Sequence, residues 1–149
     1  MSTRVVVIDD EPEVRELLGK VLLRAGFEVQ TAASGEAGLQ LFEHGVFDCL
    51  VVDKLMPGMG GLEVVAEVRR RWPTVAIVLV TAHPEPFNLD AERPEAVLAK
   101  PFKNLEAVVN TINEALEALR SSRNDPLTNL KERVAAVVAE ISPTRRKRE

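Results

Sequence analysis

Short runs of β-branched and other apolar residues alternate along this chain with longer segments in which apolar residues recur at helical spacing. Short, continuously apolar runs are typical of strands buried on both faces, as parallel strands are. The predicted strands cover residues 4–8, 28–32, 49–52, 75–80 and 96–99, and the predicted helices cover residues 12–25, 35–44, 61–72 and 104–121. This alternation predicts an α/β fold in which a doubly wound parallel sheet is covered by helices on both faces.

The stretch between the fourth and fifth predicted strands breaks this pattern. It contains Pro84, Pro86 and Pro94. Because proline removes a backbone donor and clashes with the preceding turn, residues 87–93 have room for two helical turns at most. We therefore expect the fourth helix of the alternating series to be eroded or missing.

The end of the chain departs from the alternating pattern a second time. The last helix has an apolar face made of Leu105, Val108, Val109, Ile112, Leu116 and Leu119. After it, Asp125 and Pro126 are suited to the N-cap and the first position of a further helix. A stripe of Leu127, Leu130, Val134, Val137 and Ile141 then predicts an amphipathic helix over residues 126–141, followed by a basic tail.

We accordingly divide the chain into a domain over residues 1–122 and a C-terminal extension over residues 123–149. The apolar stripe of the extension has three candidate partners, which are its own domain, a second copy of the chain in a homodimer, and a downstream protein.

Composition excludes several classes of function. The 149 residues are 46% hydrophobic and carry a net charge of −4, which argues against binding of nucleic acid by the whole chain. The single cysteine, Cys49, cannot form an internal disulfide and lies in an apolar run, so we expect it in the core. No signal peptide precedes the first strand and no apolar run is long enough to span a membrane, so we expect a soluble, cytoplasmic protein.

Polar side chains follow four of the predicted strands, at the point where each strand ends. Asp9 and Asp10 follow the first strand, Asp53 the third, Thr81 the fourth and Lys100 the fifth. Because the carboxyl ends of parallel strands meet at one edge of the sheet, where open α/β folds bind ligands, we expect these side chains to converge.

Three converging carboxylates repel one another, and a divalent cation would relieve this repulsion. Mg²⁺ prefers oxygen ligands, so Asp9 and Asp10 could hold it with Asp53 as the third oxygen source. The chain has no His/Cys cluster that would suit zinc. Asp53 can also act as a nucleophile towards phosphorus, while Lys100 supplies a positive charge and Thr81 a hydroxyl for a phosphoryl oxygen.

Each of these residues also has an ordinary structural explanation. Asp10 can cap the following helix, Asp53 can be a turn residue, Thr81 a strand-end hydroxyl and Lys100 a solvated charge. All of these explanations would have to hold together at four strand ends of one sheet, which favours the functional interpretation.

Four segments together resemble the receiver domain of two-component response regulators. The segments VVVIDDE, VVDKLMPGMGGLE, VLVTAH and VLAKPF occur in the order and spacing of that family, and the resemblance covers roughly residues 3–121. It implies the flavodoxin-like, five-stranded 2-1-3-4-5 sheet, and a donor that is a phosphohistidine on a sensor histidine kinase or a phosphotransfer protein.

The resemblance also implies a role for each site residue. Asp53 would be the phosphoacceptor, with Asp9 and Asp10 as the acidic pocket. Asp10 and Asp53 would bind Mg²⁺ together with the backbone carbonyl of Leu55. Thr81 and Lys100 would contact the phosphoryl group, and the Lys100–Pro101 peptide bond would be cis.

The chain departs from the family pattern in its fifth strand and beside its site. Val97 stands where receivers usually carry the aromatic residue whose rotation accompanies movement of the threonine hydroxyl, so this chain lacks the ring of that relay. Leu55 and His83 occupy the positions, two residues beyond the acceptor aspartate and the threonine, that tune phosphoryl lifetime in the family.

Two other classes of function compete with a phosphorylated receiver. A Mg²⁺-dependent phosphohydrolase of small molecules would share the aspartate nucleophile, but it should carry a general acid where this chain has Leu55. An adaptor that is never phosphorylated would be compatible with Val97, but it would not need the complete acidic pocket. We therefore expect a phosphoacceptor that signals through protein contacts rather than an enzyme acting on other molecules.

Overall fold

Five parallel strands form one sheet in the order β2-β1-β3-β4-β5 in the computed structural model, as the alternating pattern and the family resemblance predict. The structure describes residues 2–82 and 93–124, together with Val134 and Val137. The strands are β1 (Arg4–Ile8), β2 (Glu28–Ala32), β3 (Cys49–Asp53), β4 (Ala76–Thr81) and β5 (Ala96–Ala99). The order reverses at β1 and β3, so the crevice of a doubly wound fold lies where these two strands end.

Four helices cover the sheet in two layers. They are α1 (Pro12–Arg24), α2 (Gly35–His44), α3 (Gly61–Arg71) and α4 (Leu105–Asn124). Helices α2 and α3 pack on one face and α1 and α4 on the other, so the sheet is buried between two apolar clusters. Alternate strand residues point to opposite layers: Val6 and Ile8 to the first, Val5 and Val7 to the second.

The three central strands are almost completely inaccessible to solvent. Every residue of β3 and β4 is buried, and Val5 to Ile8 of β1 are 0% exposed. Each such Val, Leu or Ile side chain stabilises the fold by roughly 1.5–3 kcal/mol relative to an exposed one. This core therefore holds the ends of β1, β3 and β4 rigidly in place.

Local signals in the sequence account for the helix ends. The hydroxyl oxygen of Ser34 accepts a hydrogen bond from the backbone N–H of Ala37 (3.2 Å) and so caps α2. Gly26 follows the end of α1 with φ +96°, a left-handed conformation that favours glycine. The predicted ends coincide with the observed ones or differ by up to three residues, because terminal residues of strands and helices have few contacts that distinguish them in sequence.

Two residues from the predicted apolar segments differ in their burial. Cys49 is fully buried, as expected, and burial together with the charges of Glu95 and Asp48 raises its pKa far above the usual value, so the thiol stays protonated. Leu105, which belongs to the apolar face predicted for the last helix, is 47% exposed.

The predicted erosion of the fourth helix, with His83 and the three prolines before β5, falls largely on residues outside the described ranges. The C-terminal extension also lies outside them, apart from Val134 and Val137, which are helical and 53% and 56% exposed. Among the described residues, no helix has both the length and the apolar composition needed to cross a bilayer.

Candidate functional site

Backbone pairing at the carboxyl edge of the sheet brings the predicted site residues side by side. In the register of the sheet, Asp53 pairs with Val80, and Thr81 pairs with Ala99, the residue before Lys100. The hydrogen-bond ladder continues one step beyond β5, where the Lys100 N–H donates to the Thr81 carbonyl (2.9 Å). Asp53, Thr81 and Lys100, which lie at or directly after the ends of β3, β4 and β5, are therefore neighbours at the carboxyl edge of the sheet.

The ammonium group of Lys100 contacts three carboxylates at this edge of the sheet. Its Nζ lies 3.0 Å from Asp9 Oδ2 and 3.2 Å from Asp53 Oδ2. A third carboxylate oxygen, Oε1 of Glu11, lies 3.4 Å from the same nitrogen. The side chains of Lys100, Asp9 and Asp53 are only 17%, 2% and 8% exposed, so the central pairs are shielded from bulk water.

Asp9, Asp10 and Asp53 form an acidic cluster in which one carboxylate oxygen from each residue lies within 4.8 Å of the others. Asp9 and Asp53 are buried, whereas Asp10 is the most exposed of the three. The donors are all carboxylate oxygens, the ligand type that Mg²⁺ prefers, and one of them faces solvent, where the ion could keep its water ligands. The residues present therefore fit a magnesium ion.

The environment of Asp53 disfavours its charged form. Burial raises the pKa of Asp53, and the neighbouring charge of Asp9 raises it further. The charge and hydrogen bond of Lys100 and a hydrogen bond from the backbone N–H of Leu55 oppose this effect without cancelling it. A carboxylate of raised pKa next to other acids is the arrangement expected where a cation binds.

Lys100 remains charged despite its partial burial. Burial by itself would lower the pKa of Lys100, but the hydrogen bonds and charges of Asp9 and Asp53 outweigh it and raise the pKa above the usual value. The pocket therefore contains a permanent ammonium between two carboxylates.

Thr81 is buried at the end of β4, 3% exposed, beside the acidic cluster. The five polar residues predicted from the strand ends, Asp9, Asp10, Asp53, Thr81 and Lys100, thus lie at one sheet edge. The N-cap residue of α1 is Glu11 and not Asp10, and the carboxylate of Asp9 accepts a hydrogen bond from the Glu11 N–H (2.9 Å).

Three residues of the site were not identified from sequence. Glu11 contacts Lys100, as described above, and the guanidinium of Arg15 donates to the backbone carbonyl of Asp9 (2.6 Å). Gly61, the first residue of α3, lies so close to β3 that a Cβ there would be 2.2 Å from the carbonyl oxygen of Asp53. The Gly60–Gly61 pair before a helical pattern was the available signal for this close approach.

The predictions for Leu55 and Val97 concern the surroundings of the site. The side chain of Leu55 is 70% exposed, while its N–H bonds to Asp53, and coordination of Mg²⁺ by its carbonyl remains a prediction. Val97 is 37% exposed on the edge strand. The Lys100–Pro101 peptide bond is cis, as the resemblance implied.

An apolar groove opens next to the acidic cluster, between α1 and the connection from β5 to α4. Its volume is about 530 Å³, and Lys100, which contacts Asp9 and Asp53 of the acidic cluster, also lines the groove. The exposed side chains of Leu17 and Leu105 form part of its walls. The other described residues that line it are Val14, Ala82, Pro101 and Phe102.

Comparison with known proteins identifies relatives with a similar sequence. A family model described as the response regulator receiver domain matches residues 5–113. A response regulator receiver protein of Anaeromyxobacter sp. is 40% identical over 96 residues, which cover 64% of this chain and 40% of that protein. This chain spans less than half the length of the curated relatives it matches.

Solved structures resemble this one over most of its length. The chemotaxis response regulator CheY4 of Vibrio cholerae is 29% identical, with a TM-score of 0.72, and the match covers 77% of this chain and 99% of that one. The response regulator TrrA of Thermotoga maritima, solved with Mg²⁺-BeF, is 34% identical, with a TM-score of 0.69 and coverage of 76% and 98%. TrrA has also been solved in complex with the histidine kinase ThkA.

Proposed function

Since this chain belongs to the response regulator receiver family, we propose that it accepts a phosphoryl group on Asp53 and passes on the signal through protein contacts. The observation that carries this proposal is the Lys100 ammonium, which lies 3.0 Å from Asp9 and 3.2 Å from Asp53 at the edge of the sheet. One cation bridging an acid pocket and a nucleophile is the charge arrangement that phosphoryl transfer requires.

The chemistry follows from the protonation states at the site. A carboxylate oxygen of Asp53 attacks phosphorus, a P–O bond forms, and the bond from phosphorus to the donor atom breaks, with its electron pair leaving on the donor. Asp53 gives up no proton in this step, so no general base is needed. Lys100 and the Thr81 hydroxyl stabilise the charge on the phosphoryl oxygens. We propose that Mg²⁺, held by Asp9, Asp10, Asp53 and the Leu55 carbonyl, neutralises the remaining negative charge.

The apolar groove beside Lys100 supports a protein, rather than a small metabolite, as the natural phosphodonor. A protein carrying phosphohistidine has to place that residue over Asp53, and an apolar surface next to the acceptor can hold it there. Leu17 and Leu105 expose such a surface directly beside Lys100. We propose a sensor histidine kinase or a phosphotransfer protein as this partner, by analogy with the complex of TrrA and ThkA.

The acceptor residue can be tested with acetyl phosphate. The protein is incubated with acetyl phosphate and Mg²⁺ and examined by intact mass spectrometry for a single adduct of about 80 Da, the mass of a phosphoryl group that replaces a proton. We expect the adduct in the wild type and its loss in Asp53→Asn. Asp48→Asn, which makes the same change at the other end of the acceptor strand, should keep the adduct.

The alternatives predict other outcomes. A small-molecule phosphohydrolase would turn over phosphomonoesters without a lasting adduct, and an unphosphorylated adaptor would form no adduct with acetyl phosphate or with any histidine kinase. The donor surface is tested separately with Leu17→Ser. Acetyl phosphate should label this variant at the same rate as the wild type. Phosphorylated histidine kinases encoded in the same genome should label it more slowly than the wild type. Equal rates with the kinase would rule out the groove as the docking surface.

A further inference from the structure

Glu11 makes a contact to Lys100 that neither the family resemblance nor the proposed chemistry assigns. Its Oε1 lies 3.4 Å from Lys100 Nζ, and its side chain is 56% exposed. The backbone N–H of Glu11 donates to Asp9 Oδ1, and its side chain makes no capping hydrogen bond to α1. The Glu11 carboxylate can therefore change without loss of a helix cap.

The number of protons on Lys100 determines what this contact does. An ammonium group has three N–H donors, and the three carboxylates of Asp9, Glu11 and Asp53 each accept one. A phosphoryl oxygen on Asp53 can receive a hydrogen bond from Lys100 only if one of these acceptors is released. The arriving group thus has to replace an existing partner.

The three partners differ in how readily they can leave. Asp9 is buried and its second oxygen is held by the Glu11 N–H, while Asp53 carries the phosphoryl group itself. Glu11 has the longest contact and an exposed side chain that water can solvate when the contact breaks. Glu11 is therefore the partner that Lys100 gives up at the lowest cost.

We infer that Glu11 is a positioning residue that competes with the phosphoryl group for the Lys100 ammonium. The inference rests on the proposed function of Asp53. The Glu11 carboxylate binds Lys100 before phosphorylation and releases it to the phosphoryl oxygens afterwards. The same carboxylate adds negative charge beside the acidic cluster, which favours Mg²⁺.

Removal of the Glu11 charge should therefore shift two affinities in opposite directions. In Glu11→Gln, Mg²⁺ binds more weakly because less negative charge surrounds it. Beryllofluoride at saturating Mg²⁺, as an analogue of the phosphoryl group, binds more tightly because Lys100 is free to reach it. Each change should be about two- to fivefold, the range for a solvent-exposed ion pair.

Both affinities can be measured by isothermal titration calorimetry. Glu13→Gln is the matched control, since Glu13 lies exposed in the same first turn of α1 and, in the described part of the chain, is paired with no basic residue. Glu11→Asp keeps the charge but shortens the side chain by one methylene. It should bind beryllofluoride like Glu11→Gln while it keeps Mg²⁺ affinity close to that of the wild type.

The outcomes separate this inference from the proposed function. If the wild type binds no beryllofluoride, the phosphoacceptor function itself is wrong and the inference falls with it. If the wild type binds it and Asp53→Asn does not, the function stands. Glu11→Gln with unchanged affinities, or with both affinities weakened, then overturns the role of Glu11 alone. Thermal melts of each variant confirm that the compared proteins are folded.

Discussion

Gly61 offers a test of how closely α3 has to approach β3. In Gly61→Ala the new Cβ would lie 2.2 Å from the carbonyl oxygen of Asp53 and 2.7 Å from the Cα of Lys54. Since such atoms do not come closer than 3.0 Å, α3 or the strand has to move by about 0.8 Å. Both neighbouring atoms belong to the backbone, so no side-chain rotation can relieve the contact.

The energetic consequence follows from what that movement disturbs. Overpacking in a rigid core costs about 1–3 kcal/mol. The displacement also strains the hydrogen bond from the Gly61 N–H to the Lys54 carbonyl (3.0 Å), which contributes about 0.5–1.5 kcal/mol. We expect Gly61→Ala to lower the free energy of unfolding by about 2–4 kcal/mol.

Urea denaturation measures this change, and Gly19→Ala is its control. Gly19 lies within α1, where a Cβ would have no atom within 4 Å. There, alanine should stabilise the protein by roughly 0.5–1 kcal/mol because it has the higher helix propensity. With a urea m-value of about 2 kcal/mol/M, the two midpoints should move in opposite directions, by about 1–2 M downward for Gly61→Ala and by less than about 0.5 M upward for Gly19→Ala.

The same displacement should also affect the proposed phosphorylation, because the atom nearest to the new Cβ is the carbonyl oxygen of Asp53 itself. A misplacement near 1 Å can slow a positioned reaction by up to about a hundredfold. We expect labelling by acetyl phosphate to slow in Gly61→Ala and to be unchanged in Gly19→Ala. If Gly61→Ala matched the wild type in both stability and labelling, the described approach of α3 to β3 would be incorrect.

Three further substitutions test the charges and hydrogen bonds described above. Asp53→Asn should raise the melting temperature at pH 7, because burial and a neighbouring carboxylate raise the pKa of Asp53 and disfavour its charged form. This advantage should shrink as the pH falls through the raised pKa towards 3.8, and a melting temperature that is lower at pH 7 would contradict it. Lys100→Met should destabilise the metal-free protein by about 3–5 kcal/mol at pH 7, since two buried carboxylates lose their partner. In thermal melts, Mg²⁺ should stabilise this variant more than it stabilises the wild type. Glu95→Gln should lower the free energy of unfolding by about 1–3 kcal/mol in urea titrations, because Glu95 accepts a hydrogen bond from the Ile77 N–H (2.7 Å) and forms a partly buried ion pair with Arg69. The control Glu67→Gln, which removes a more exposed ion pair, should change it by no more than about 1 kcal/mol. Equal losses of stability would argue against the burial of the Glu95 ion pair.

The sequence predicted the sheet and the convergence of polar side chains at its carboxyl edge because both depend on repeating local patterns. Alternating apolar runs indicate parallel strands, and parallel strands place their carboxyl ends at one edge. Asp9 and Lys100 are 91 residues apart in sequence, yet a simple rule about strand ends predicts that they meet. The strand order was available from the family resemblance, since local patterns leave several doubly wound orders open.

The missed residues depend on distances between elements, which no periodic pattern contains. Glu11 reads as an ordinary acid at the start of a helix, and its contact to Lys100 spans 89 residues. Leu105 fits the apolar spacing of α4, yet it is 47% exposed in the folded protein. The close approach at Gly61 is likewise set by the packing of α3 on the sheet.

The burial of polar side chains explains why this sheet edge is both costly and useful. Within the described ranges, the buried polar or charged residues are Asp9, Asp53 and Thr81, and all three lie at the ends of β1, β3 and β4. A core of Val, Leu and Ile has no need of carboxylates there, and their burial costs free energy even when Lys100 pairs with them. Any cation that binds these carboxylates in the folded state alone recovers that free energy as binding energy. The acidic cluster therefore lowers the stability of the cation-free protein and raises its affinity for a cation, as expected where a fold carries a function.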